Sequence, residues 1–123
     1  MSEEPHPHWF DAVPHGDVMV VRFTLDKIWQ ERTTQILGEE LSGLMGKGCR
    51  HMVLNFARVE SIGSVMLGKL NTLRNQVQAA GGRLVLCRLN AVLTETFEVT
   101  RLSRLFTICG DEEEALQKLA ALP

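Results

Sequence analysis

The apolar positions of this chain change their spacing several times, and each change marks an element. Residues 9–13 and 18–23 are β-favouring runs, and Pro14-His15-Gly16-Asp17 between them is turn chemistry, so the chain is predicted to open on an antiparallel hairpin. From about Glu31 to Gly46, the residues Ile36, Leu37, Leu41, Leu44 and Met45 follow helical spacing, with Gly46 and Gly48 as the stop. Met52, Val53 and Leu54 then predict a short buried strand. Met66, Leu70, Leu73, Val77 and Ala80 recur at intervals of three and four, and Gly81-Gly82 ends that second helix. Residues 84–87 (Leu-Val-Leu-Cys) are apolar without interruption, as in a strand buried on both faces, and a short helix containing Leu93 and Phe97 follows. Residues 105–108 predict a last strand, and Asp111 opens a final helix with Ala115, Leu116 and Leu119 inward. In that helix Asp111 caps, Glu114 takes the capping-box position, and the acids between them complement the helix dipole.

Strands that alternate with helices imply right-handed crossovers. The fold class expected is therefore α/β: a mostly parallel open sheet with an N-terminal antiparallel edge hairpin and about four helices. In such sheets the working surface lies beyond the carboxyl ends of the parallel strands, where strand-to-helix loops gather. Those loops are residues 55–63 and 88–91.

Composition narrows the function classes. With 123 residues and 45% hydrophobic positions, the chain can bury a core without a disulfide or structural metal. We expect a poorly ordered tail over residues 1–8, where Pro5 and Pro7 accompany two acids, and a single domain over 9–123. The formal net charge of −2, with basic residues spread singly, argues against nucleic-acid binding or an anionic membrane surface. No apolar run approaches the ~20 residues that span a bilayer, and residues 1–8 lack the basic and apolar regions of a signal peptide. Cys49, Cys87 and Cys109 make an odd count with no C-x-x-C pair, so neither a zinc site nor a disulfide framework is signalled, and a cytoplasmic location is expected.

The first loop, Asn55-Phe-Ala-Arg-Val-Glu-Ser-Ile-Gly-Ser64, enters the second helix with Ser64 at or next to its N-cap. One reading makes Ser64 a cap whose hydroxyl accepts a free backbone N–H, with Gly63 serving a tight turn. A second makes it a phosphoacceptor, because unpaired N–H groups and the positive end of the helix dipole stabilise an added dianion. A serine nucleophile is the enzymatic alternative, but Ser61-Ile-Gly-Ser-Val65 is no G-x-S-x-G elbow. His51 is expected as a surface residue at a strand end, remote from Ser64, which leaves no base within reach. No nucleotide-binding glycine motif occurs, so no cofactor and no metal ligand set is expected. Cys87 reads as a small hydrophobe on a buried strand.

Four segments in order carry a resemblance to a known family: residues 53–59 (Val-Leu-Asn-Phe-Ala-Arg-Val), 62–68 (Ile-Gly-Ser-Val-Met-Leu-Gly), 80–86 (Ala-Gly-Gly-Arg-Leu-Val-Leu), and 97–102 (Phe-Glu-Val-Thr-Arg-Leu) followed by Leu105-Phe106. From about Val18 to Leu119 the chain resembles a STAS domain, the family shared by bacterial anti-sigma-factor antagonists and the cytosolic tails of sulfate transporters. The resemblance implies that Ser64 stands at the family's switch serine. It also departs from the family: Gly63 and Asn55 stand where aspartates are usual, Val65 and Met66 replace a second serine and a glycine, and Arg101 replaces a later glycine.

Together these readings lead us to expect a non-enzymatic regulatory module of the anti-sigma-factor antagonist type. Its phosphoacceptor would be Ser64, and its docking rim would include Asn55, Ser61, Ile62, Gly63, Met66, Lys69 and Asn90. The partner implied is an anti-sigma factor or related serine kinase, with a second copy of the chain as another candidate. The alternative is a constitutive STAS subunit of a signalling scaffold or lipid-transport complex, without a switch. An enzyme using Ser64 or Cys87 is the least favoured reading.

Overall fold

The computed structural model describes residues 9–122; the tail expected over residues 1–8 lies outside them. Strands β1 (Phe10–His15) and β2 (Val18–Phe23) form the antiparallel hairpin, with Phe10 opposite Phe23 and His15 opposite Val18. The turn is tighter than the sequence suggested, because Pro14 and His15 belong to β1. Gly16 takes φ +61 there, a conformation a glycine adopts without a Cβ penalty. Pro14 is tolerated because β1 is an edge strand.

Helix α1 (Glu31–Gly43) leads to β4 (His51–Asn55), helix α2 (Ser64–Ala79) to β6 (Leu84–Cys87), and helix α3 (Ala91–Val99) to β7 (Thr107–Cys109). These strands pair in parallel, and the main sheet has the order β1-β2-β4-β6-β7. Two further strands, β3 (Lys27–Ile28) and β5 (Ser61–Ile62), make a separate parallel pair that the apolar pattern had not indicated. Helix α4 (Glu112–Ala120) closes the chain. The last strand begins later than expected, because residues 102–104 form a 3-10 turn. Arg74 Nε donates to the Leu105 carbonyl at 2.6 Å at the end of that turn.

Alternation along the strands divides the core. Met19, Val21, Phe23, Met52, Leu54, Leu84 and Leu86 join Leu37, Leu41, Met66, Leu70, Leu93 and Phe97 in the larger cluster, beneath α1, α2 and α3. Val18, Val20, Val53, Val85, Cys87 and Cys109 face the other way, against Ala115 and Leu119 of α4. Among the described residues, one face of the sheet thus rests on three helices and the other on α4 alone. Helix α2 ends in a Schellman arrangement: the Gly82 N–H donates to Val77 O and the Gly81 N–H to Gln78 O, both at 2.9 Å. A Cβ on Gly82 would lie 1.8 Å from the Arg50 carbonyl oxygen, so glycine is required where α2 turns into β6.

Candidate functional site

The rim at the carboxyl ends of the parallel strands is assembled by short polar ties. Loop 56–63 is pinned from inside by Phe56 and Val59, both buried, with the Phe56 ring 5.0 Å from that of Phe23. It is pinned from outside by Asn90, the N-cap of α3. The Asn90 Oδ1 accepts from the Leu93 N–H at 2.7 Å, and its Nδ2 donates to Val59 O and Glu60 O at 3.3 and 3.2 Å. Asn90 was expected on the rim, and it acts there as the brace between two loops. The small β3–β5 sheet completes the frame: Gly63 N–H donates to Ile28 O at 2.9 Å, and Glu60 N–H to Asp26 O at 2.6 Å.

Ser64 is the first residue of α2 and is exposed. Gly63, with φ −98 and ψ 176, is the N-cap, and no side chain caps this helix end. The capping role considered for the Ser64 hydroxyl is therefore not the one it plays. Its hydroxyl engages no partner among the described residues, and the first N–H groups of α2 point at its surroundings unpaired within the helix. No acidic residue lies in the first turn of α2, so the positive end of its dipole is uncompensated there.

The structure adds residues to this rim that the sequence reading missed. Trp29, just after β3, is 55% exposed. Its indole N–H donates to Ser61 Oγ at 2.8 Å, and the Lys27 ammonium lies 5.4 Å from its ring centroid. Two-residue strands leave no periodicity in a sequence, so nothing there placed Lys27 and Trp29 beside Ser61, Ile62, Gly63 and Ser64. Other expected rim residues are elsewhere. Met66 is fully buried in the larger core cluster, because helical geometry turns it inward from Ser64, and its side chain is unavailable to a partner. Lys69 lies more than a turn along α2 with its stem across Gly38 of α1, where an added Cβ would come within 2.9 Å of Lys69 Cδ.

Asn55 belongs to a second group on the α4 side of the sheet. Glu112 receives Arg22 on both carboxylate oxygens, at 2.7 and 2.9 Å, and Asn55 Nδ2 donates to Glu112 Oε2 at 2.6 Å. The Asn55 Oδ1 accepts from the Ala57 N–H at 2.8 Å. These bonds, chiefly that from Arg22, hold the Glu112 carboxyl below its usual range despite partial burial. Aspartate at position 55 would have no donor for Glu112 and would set two carboxylates against each other, which gives a physical reason for asparagine there. Glu112 had been read as one of several acids complementing the dipole of α4; it is the acceptor that joins α4 to β2 and β4. Arg88, at φ 62, borders the same region.

Among the described residues, catalytic groups do not converge on Ser64. His51 starts β4, at the amino end of the sheet, and is 6% exposed, so the surface position expected for it is corrected to a buried one. Its Nδ1 accepts from the Arg83 N–H at 3.0 Å, which satisfies that nitrogen inside the protein. Cys87 is buried as expected, and burial pushes its thiol up to about 12, away from nucleophilic ionisation. Among the described residues no group of three or more His, Cys, Asp and Glu side chains could hold a metal ion, and no helix is long and apolar enough to cross a membrane.

Comparison with known proteins agrees with this architecture. BtrV of Bordetella bronchiseptica, which carries the name of an anti-sigma factor antagonist, is 32% identical over 79 residues, covering 64% of this chain and 68% of BtrV. The crystal structure of TM1081 from Thermotoga maritima, described in the same terms, superposes with a TM-score of 0.81 at 22% identity, over 92% of this chain and 96% of that one. The Bacillus cell fate determinant SpoIIAA, in its phosphorylated form, gives a TM-score of 0.66 at 18% identity, over 89% of this chain and 97% of SpoIIAA. The model of the STAS domain matches residues 10–115, which span the hairpin, every parallel strand and the start of α4, and the chain is therefore a member of the STAS domain family.

Proposed function

We propose that this chain is a non-enzymatic regulatory module of the anti-sigma-factor antagonist class. It docks on a protein partner through the rim around Ser64, and a phosphate on Ser64 governs that docking. The observation that carries the reading is the state of Ser64: exposed, uncapped, and first in a helix whose opening turn has no acid. A phosphate there would bring about −1.5 to −2 charges against unpaired N–H groups, and it would change the charge beside Lys27 and Trp29. The name of BtrV and the phosphorylated form of SpoIIAA support the same reading by likeness. The partner would be an anti-sigma factor or a related serine kinase, met in the cytoplasm.

The test compares wild type, Ser64→Ala and Ser64→Asp as baits, with mass spectrometry identifying partners and any phosphate on the wild type. A serine-kinase-like partner kept by Ser64→Ala and lost by Ser64→Asp is the expected result. A single partner retained equally by all three, with Ser64 unmodified, would instead make the chain a constitutive subunit of a larger assembly.

A further inference from the structure

The amino end of the sheet, opposite the rim, holds two adjoining hollows that share Arg50, His51 and Leu122. The larger, about 340 Å³, has one wall of His15, Asp17, Arg50 and His51 and another of Val18, Leu116, Leu119, Ala120 and Leu122. That volume lies at the lower end of the range of small-molecule sites.

His51 gives this hollow its chemistry. The ring is 6% exposed, and its Nδ1 accepts from the Arg83 N–H. A neutral imidazole that accepts at Nδ1 carries its proton on Nε2. Nε2 has no partner among the described residues, and no fully buried side-chain nitrogen or oxygen among them is left unpaired. Nε2 is therefore the part of the ring that reaches the surface, and it does so as a donor in a wall shared by both hollows. Arg50 stands beside it. Its Nε is engaged by Asp17 Oδ2 at 3.0 Å, and its two terminal nitrogens have no acceptor among the described residues. Arg83 lines the smaller hollow, where its backbone N–H is the donor to His51. In the larger hollow Asp17 balances the charge of Arg50, so what this wall offers is directed donors, His51 Nε2–H and the terminal nitrogens of Arg50, facing an apolar wall.

We propose that this hollow binds a small amphipathic carboxylate, its carboxylate held by His51 Nε2–H and Arg50 and its aliphatic chain laid on Leu116, Leu119 and Leu122. The site is independent of the rim and of Ser64.

The test is an NMR titration of the full chain, labelled with nitrogen-15, using sodium hexanoate as the probe. Hexan-1-ol, acetate and inorganic phosphate serve as comparison arms. Hexanoate should shift His51 Nε2 and the Arg83 amide saturably, with a Kd of about 0.1–1 mM, the range open to so small a ligand. The chain without the charge, the charge without the chain, and phosphate should each bind at least tenfold more weakly. Arg50→Met and, separately, Leu116→Ser should weaken hexanoate at least fivefold while the rest of the amide spectrum stays in place. If one variant fails to fold, the other decides. The proposal is overturned if hexanoate gives no saturable shift, if hexan-1-ol or phosphate binds as tightly, or if a folded variant binds unchanged. Imidazole nitrogen shifts showing the proton on Nδ1 would overturn it as well.

Discussion

The two ends of the sheet are built by different means. At the amino end the tightest point is backbone against backbone: Gly82 lies against the Arg50 carbonyl with no room for a Cβ, beside the Asp17–Arg50 pair and a buried His51 with one nitrogen satisfied. At the carboxyl end, side chains tie loops together, as Asn90 joins two loops, Trp29 reaches Ser61, and Arg22, Asn55 and Glu112 fasten α4. The close approach at Gly82 tolerates almost no change, whereas a frame of hydrogen bonds can be loosened one tie at a time. The end proposed to dock a partner is thus the one with separable fastenings.

The sharpest way to break this contrast is Gly82→Ala. Because the new Cβ would strike backbone, we expect a loss of about 3 kcal/mol or more, measured by urea denaturation, with a lowered midpoint. Were the cost under about 1 kcal/mol, the amino end would be as yielding as the rim. At the rim, Asn90→Ala removes a helix cap and two loop ties, so a loss of about 1–2 kcal/mol is expected. Hydrogen exchange should speed up at the Gly63 and Glu60 amides while those of β6 stay protected. Asn55→Asp should cost about 1–2 kcal/mol near neutral pH by turning a donor toward Glu112 into a repelling carboxylate. That penalty should shrink in acid, where the two carboxyls share a proton, and a deficit unchanged with pH would count against charge as the cause.

Acid should weaken the two ends in different windows. Burial, with Arg50 next, lowers the His51 pKa, so the unfolded chain takes up a proton before the folded one does. Stability set by His51 is present above its ordinary value of about 6.5 and is lost as the pH falls through the lower folded value. The contribution of Glu112, also depressed, is present above the ordinary carboxylate range and disappears only below it. Denaturation curves from pH 8 to 3 should show both declines, and Glu112→Gln should remove the lower one alone. The smallest effect is expected from Arg101→Gly. Arg101 sits at φ 64, and glycine there should stabilise by about 0.5–1 kcal/mol, read as a higher melting temperature.

Long periodic segments were legible from the sequence because one physical cause dominates them. The spacing of Met66, Leu70, Leu73 and Val77 is the buried stripe of α2, and the run 84–87 is a strand covered on both faces. Ser64 was legible as a helix start, but whether it or Gly63 served as the cap depended on backbone angles no pattern encodes. Trp29 and Glu112 were missed for a related reason. Each acts through a partner distant in the chain, Ser61 for the first and Arg22 and Asn55 for the second. His51 looked exposed because a polar residue at a strand end usually is, and only the Arg83 N–H makes its burial affordable.

The edges of the main sheet bear on crowding in solution. Its outer strands are β1 and β7, and open strand edges are where chains of this kind would zip to one another. One edge carries a proline that has no N–H to offer, and the other is three residues long. A neighbouring molecule therefore meets an interrupted ladder at one edge and a short one at the other, and the sheet's pairing stops at its own five strands.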